Sequence, residues 1–335
     1  MEEVKERRTS NRETRAEDWL INTSANHKDV RSWSVTVTEW SSYVIIGTRA
    51  LRINQWVKNV LIFLPFFLAH RPLNVHDLVT LCLAWVSFCF AASSAYVIND
   101  ILDIYSDRNH PQKRYRPFAA RELSITDGIL LGIGSMGLSL MISILFLKPA
   151  FVIIVGLYLT ISLLYSLGLK KLLLVDVMIL AALYTLRIYA GGLVLDIPIS
   201  NWLLTFSLFF FMSLALLKRY SELHTLEPKI HRQDNRRYYE KEDLNLLQIV
   251  GVGVGLLSVL VLVLYLQTDF VLLHYSHPDW LWLAAPPLFY WINRMWFLVE
   301  RGALKDDPII FSVKDKTSYL TGGIIVLVFI LSSYF

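Results

Sequence analysis

The chain has 335 residues, of which 18% are charged and 55% hydrophobic, and its mean hydropathy is +0.46. That balance excludes an ordinary soluble domain, and apolar runs near the ~20 residues that cross a bilayer mark an integral membrane protein. The net charge of +4 says little by itself and no nucleic-acid partner is expected; the two cysteines, Cys82 and Cys89, share one apolar run and read as packing residues.

Residues 1–45 mix both charge signs with few aliphatic side chains and read as a mobile cytosolic tail, with the transmembrane domain at 46–335. No signal peptide is expected. The stretch TRALRINQWVKNVL (48–61) places Arg49, Arg52, Trp56 and Lys58 ahead of the first apolar run, a composition suited to a membrane interface. Nine spans are expected, at about 59–70 with its flanks, 78–99, 126–147, 150–167, 172–195, 202–217, 246–267, 279–299 and 318–335. The first is short and the eighth contains Pro286 and Pro287. Loops after the second, fourth, sixth and eighth spans carry eighteen Lys and Arg, against Arg71 and Lys148 on the other side. The positive-inside rule therefore puts the rich loops, the N-terminus and the chemistry on the cytoplasmic face of the cell membrane. Whether the chain self-associates stays open.

The second span runs into NDILDIYSDRNHPQKRYRPFAA (99–120). If the helix continues past Asn99, then Asp100, Asp103 and Asp107 fall within about 60° of one face. Three convergent carboxylates repel one another unless a cation sits between them, and Mg²⁺, which bridges carboxylates to substrate phosphates, is the expected metal. Beyond them His110, Lys113, Arg114 and Arg116 supply charge for an anionic group, in a loop stiffened by Pro111 and Pro117. The competing reading is a solvated, positive-inside loop.

Two further elements are expected at the same end. The fourth span ends in YSLGLKK (165–171) and the fifth opens with Asp176; the sixth ends in LKRYSEL (217–223), where Lys218 and Glu222 share a helix face. The plain alternative for that pair is a surface ion pair. Arg187 and Arg294 lie inside spans, where charge is costly, so each must face the interior or find a partner. Asp176 and Arg187 share a helix face about 16 Å apart, too far to pair but able to line one cavity. Arg294 either lines that cavity or snorkels to the surface.

The segment AASSAYVINDILDIYSDRNHPQKRYRPFAA resembles the first aspartate-rich motif, NDxxDxxxD, of the UbiA superfamily of membrane prenyltransferases. With RINQWVKNVL (52–61), YSLGLKKLLLVDV (165–177), LRIYAGG (186–192), IPISNWLL (197–204) and KRYSELH (218–224), the chain is similar, over about residues 48–320, to the decaprenyl-phosphate phosphoribosyltransferase branch. The resemblance implies an all-α polytopic membrane fold with about nine helices around a central cavity open to cytosol and bilayer. Prenyl-diphosphate users carry a second aspartate-rich motif after the sixth helix; here KRYSELHTLE stands there, which favours phosphoribosyl transfer. Leu217 and Arg121 depart from the branch's own pattern, as does the long N-terminal tail.

The resemblance further implies a pentosyltransferase that takes phosphoribosyl pyrophosphate from the cytosol and a polyprenyl phosphate from the bilayer. Asp100, Asp103 and Asp107 would hold Mg²⁺ on the pyrophosphate. Lys113, Arg114 and Arg116 would bind the donor, Lys58, Lys170, Arg187 and Lys218 the lipid phosphate, and Asn99 is a further substrate-binding residue. Tyr165, Asp176, Arg219 and Glu222 complete the expected substrate-binding set. The alternatives are a prenyl-diphosphate-using transferase and, in a different class, a non-catalytic transporter or scaffold.

Overall fold

The computed structural model describes residues 43–69, 72, 74–225, 239–304 and 307–334. The chain divides into two units, Met1–Arg49 and Ala50–Phe335. In the first, residues 43–49 are described and helical; the expected tail falls mostly on 1–42, outside the described residues.

The second unit is all-helical among its described residues. Its main helices are α1 (Ile53–Leu68), α2 (Val75–Leu102), α3 (Ile125–Phe146), α4 (Pro149–Leu167), α5 (Val175–Val194), α6 (Asn201–His224), α7 (Leu244–Tyr265), α8 (Ala285–Glu300) and α9 (Lys316–Tyr334). Among the described residues, seven are long and apolar enough to cross a membrane; α1 and α8 are shorter.

Both exceptions have local causes. The first eleven residues of α1, Ile53–Phe63, wind as a 3₁₀ helix, whose three-residue repeat stacks Asn59 and Ile62 on one buried edge. In the eighth span the prolines fall in the first turn of α8, where a missing N–H costs little, and the preceding Pro278–Ala284 is a separate 3₁₀ run. Some caps are conventional, whereas α5 starts from a left-handed Leu174 (φ 62°) with no side-chain cap. Ser124 and Asp127 form a reciprocal capping box at the start of α3, and Ser200 caps α6.

In lipid, apolar side chains gain little from burial against each other, so small residues that admit close approach hold such bundles together. Gly191 of α5 lies directly against the backbone of α1: a Cβ there would sit 1.9 Å from the Ile62 carbonyl oxygen. Gly251 and Gly255 of α7 likewise seat Trp296 and Ile292 of α8. Buried Ser87 of α2 meets Ser139 and Ser143 of α3 at 3.1 and 2.7 Å. The opposite face of α3, with Leu130, Ile133, Ile144 and Leu145, is exposed and meets lipid. Helix α1 is thus wedged against α2 and α5, which delivers Lys58 and Asn59 to the interior.

Candidate active site

The acidic motif forms where α2 ends. The helix stops at Leu102, Asp103 takes a non-helical conformation, and a short helix, Ile104–Asn109, carries Asp107. The three aspartates therefore do not lie along one continuous helix face. Asp100 accepts Arg52 through two nitrogens, Nε at 3.1 Å and Nη2 at 2.5 Å. Nη1 of Arg116 reaches both Asp100 Oδ1 (3.1 Å) and Asp107 Oδ2 (2.7 Å). Lys170 donates to Asn99 Oδ1 at 3.0 Å and to both oxygens of Asp103 at 2.8 and 2.7 Å. Arg52 adopts a left-handed backbone (φ 51°), which costs about 1–2 kcal/mol for a residue with a Cβ and is held by its paired bonds to Asp100. Burial pushes the Asp107 carboxyl above its usual range, outweighing Arg116. Lys113 is an electrostatic neighbour of Asp107, whereas exposed Arg114 turns onto Tyr115, bonding its hydroxyl at 2.6 Å.

A second cluster joins α1, α6 and the segment before α9. Lys58 and Lys218 both donate to Oδ2 of Asp307, at 2.7 and 3.0 Å. Lys58 also lies over the Tyr184 ring at 5.7 Å, and Arg187 over the same ring at 5.3 Å. Arg187 is buried and donates to Asn59 Oδ1 (2.7 Å), the Leu183 carbonyl (2.5 Å) and Tyr158 Oη (3.0 Å). Asn59 in turn donates to Cys89 Sγ at 3.3 Å; both cysteines are free thiols, Cys89 buried as its packing reading expects and Cys82 exposed, against that reading. Tyr96 links the two clusters: Arg52 stacks on it at 5.2 Å, and it is an electrostatic neighbour of Tyr158, Tyr184 and Arg187.

The third group is a lock. Arg219 donates to Asp176 (2.6 Å), Glu222 (2.7 Å) and Tyr165 (3.0 Å). Tyr239 donates to the other Asp176 oxygen at 2.7 Å and accepts the Leu174 N–H at 3.0 Å. Asp176 and Arg219 are almost wholly buried, so this set fixes α4, α5, α6 and the strand of chain at Tyr239 together.

Other expectations meet a different geometry. Lys218 and Glu222 do not pair: Lys218 is taken by Asp307 and Glu222 by Arg219 one residue on, because Arg219 points inward to Asp176. Asp176 and Arg187 serve separate sets, as the length of α5 between them dictates. Arg294 finds a partner in Asp315, which it holds through two bonds of 2.7 and 2.9 Å. Lys170, expected among the lipid-phosphate ligands, sits with the acidic motif instead. Nothing in the sequence pattern points to Asp307 or to the Arg52–Asp100 pairing, since both join residues far apart in the chain.

Among the described residues, no three His, Cys, Asp or Glu side chains converge as a ready-made metal site. The donor chemistry nevertheless fits Mg²⁺: Asn99, Asp100, Asp103 and Asp107 offer hard oxygens only. Each carboxylate of the motif is balanced by Arg52, Arg116 or Lys170, and Asp100 and Asp107 are close enough to share one guanidinium nitrogen.

The all-helical membrane bundle thus gathers carboxylates and cations where α2 ends. The chain belongs to the UbiA prenyltransferase family, whose model matches residues 60–314. Over 285 residues it is 35% identical to the uncharacterized protein y4nM of Sinorhizobium fredii, covering 84% of this chain but 55%, about half, of that longer relative. The nodulation protein NoeC of Azorhizobium caulinodans is 32% identical across 84% of this chain and 91% of its own length. The decaprenyl-phosphate phosphoribosyltransferase of Mycobacterium tuberculosis is 35% identical over 200 residues, 57% of this chain and 65% of that enzyme. In fold, the chain is similar to a solved UbiA homolog from Archaeoglobus fulgidus bound to GPP and Mg²⁺, with TM-score 0.64 and 15% identity over 85% of this chain and 99% of that one.

Proposed function

We propose that this protein transfers a 5-phosphoribosyl group from phosphoribosyl pyrophosphate to a polyprenyl phosphate, releasing pyrophosphate at the cytoplasmic face of the inner membrane. The observation that carries the reading is the pair of lysines from α1 and α6 that converge on Asp307. Where a second aspartate-rich motif would hold more metal, α6 instead presents Lys218, directed with Lys58 at a single carboxylate oxygen. Fixed cations suit a second substrate that brings its own phosphate. The similarity to the mycobacterial phosphoribosyltransferase supports the same donor.

Bound Mg²⁺ would supply charge neutralisation for the departing pyrophosphate. Asp100, Asp103, Asp107 and Asn99 would hold it, so Arg52, Arg116 and Lys170, which balance these carboxylates now, become free to grip donor phosphates. Lys113 and Arg114 extend that grip outward. Lys58 and Lys218 orient the lipid phosphate, and Arg187 sets the deeper positive field. The lipid phosphate oxygen then attacks C1 of the ribose, the C1–O bond to pyrophosphate breaks, and its electron pair leaves with pyrophosphate. The nucleophile is already anionic, so no general base is needed.

A prenyl-diphosphate donor is the second reading, favoured by the Archaeoglobus homolog with GPP and Mg²⁺. Offering purified protein each donor separately, with Mg²⁺ and a polyprenyl phosphate, separates the two. The proposal requires consumption of phosphoribosyl pyrophosphate that stops with EDTA; consumption of the prenyl diphosphate alone overturns it.

A further inference from the structure

Asp307 belongs to neither the acidic motif nor the lock, yet two lysines converge on it. One oxygen, Oδ2, takes ammonium groups from two helices, while Ile309 N donates to Oδ1 at 3.2 Å and so caps the short helix Pro308–Ser312. Lys58 is 6% exposed and Lys218 35%, so the pair is buried on one side and reachable on the other. The third cation, Arg187, has no carboxylate among the described residues; its acceptors are an amide, a carbonyl and a phenol. Lys58, Lys218, Arg187 and Asp307 all act on Tyr184. Lys58, Lys218 and Arg187 carry three positive charges, of which Asp307 balances one; a phosphate monoester in its place balances two.

We propose that the Asp307 carboxylate is a built-in counter-anion, seated where the acceptor's phosphate binds on Lys58 and Lys218 and displaced when that phosphate arrives. This rests on the reading of a polyprenyl phosphate as acceptor. Without an internal anion, two ammonium groups on facing helices would repel and splay the empty site. With it, the site stays assembled and rejects ligands that cannot out-compete a carboxylate, which excludes free polyprenols and favours doubly charged headgroups. Burial raises the Asp307 carboxyl, but Lys218 and Lys58 outweigh it and hold it well below the usual range. Protonation therefore does not release it; only exchange for another anion does.

The test is binding of farnesyl phosphate to purified protein in detergent, wild type against Asp307→Asn, with farnesol and phosphoribosyl pyrophosphate as controls. Asparagine keeps an oxygen for the Ile309 cap while removing the charge, and Asp307→Ser, also a good cap, serves if that variant does not fold. Removing the internal competitor is expected to tighten farnesyl phosphate about tenfold, as when a site held one-tenth open is freed, and to lower the acceptor KM without moving the donor KM. Farnesol and the donor should bind as before. Unchanged or weaker farnesyl phosphate binding, in a variant that still binds the donor normally, overturns the displacement and makes Asp307 a support for the lysines. If farnesyl phosphate binds to no form of the protein, the acceptor reading fails as well.

Discussion

Replacing Asp176 by asparagine removes the charge at the centre of the lock while preserving its size. Asp176 is fully buried and Arg219 is 2% exposed, so water does not screen the pair. Removing one partner of such a pair costs about 3–5 kcal/mol, chiefly because the other charge is left buried. Arg219 keeps Glu222 and Tyr165, which places the expected loss at the low end, about 3 kcal/mol. At ~2–4 °C per kcal/mol, that lowers the melting temperature by about 6–12 °C. The ten tryptophans make intrinsic fluorescence a direct assay in detergent. Glu222→Gln, at a side chain 30% exposed, is the control and should cost under ~1 kcal/mol. Both KM values should stay near wild type below the transition. An Asp176→Asn protein that melts with wild type but loses affinity for either substrate would refute the lock and return Asp176 to the binding site.

Gly191→Ala should abolish stable folding, since its Cβ would meet the Ile62 carbonyl oxygen at 1.9 Å and force α1 from α5, whereas Gly253→Ala, which faces open space, should melt as wild type. Arg116→Gln removes the nitrogen shared by Asp100 and Asp107; loss of charged hydrogen bonds worth ~1.5–3 kcal/mol should raise the donor KM by about tenfold or more and leave the acceptor KM in place. Bonds from Arg294 lower the Asp315 carboxyl from 3.8 to about 2, helped by Ser318 and opposed by burial. A depressed carboxyl contributes stability in full above its unfolded value and loses it as pH falls through the folded one. Asp315→Asn should therefore flatten that part of the acid limb between pH 3.8 and about 2, and melting curves across that window would show it.

The helices were legible because lipid leaves so few ways to satisfy a backbone: apolar runs near twenty residues mark spans almost by length alone. The two that fall short, α1 and α8, are those where a 3₁₀ run takes up part of the span. Within the site, spacing located Asp100, Asp103 and Asp107 but not what they touch. The break after Leu102 moves Asp107 onto a new helix, and the partners come from Arg52 and Lys170, 48 and 67 residues away in sequence. Local i, i+4 reasoning likewise paired Lys218 with Glu222, because the true partner, Asp307, lies 89 residues on. Long-range ion pairs carry no periodic signature, so only the packed bundle reveals them.

Phosphoribosyl pyrophosphate carrying label either on its 5-phosphate or on its terminal diphosphate phosphorus follows the proposed bond changes most directly. Incubated with the protein, Mg²⁺ and a polyprenyl phosphate, the first should move its label into the organic phase. The second should leave its label in water as pyrophosphate. Neither label in the lipid, with turnover of a prenyl diphosphate under the same conditions, would contradict phosphoribosyl transfer.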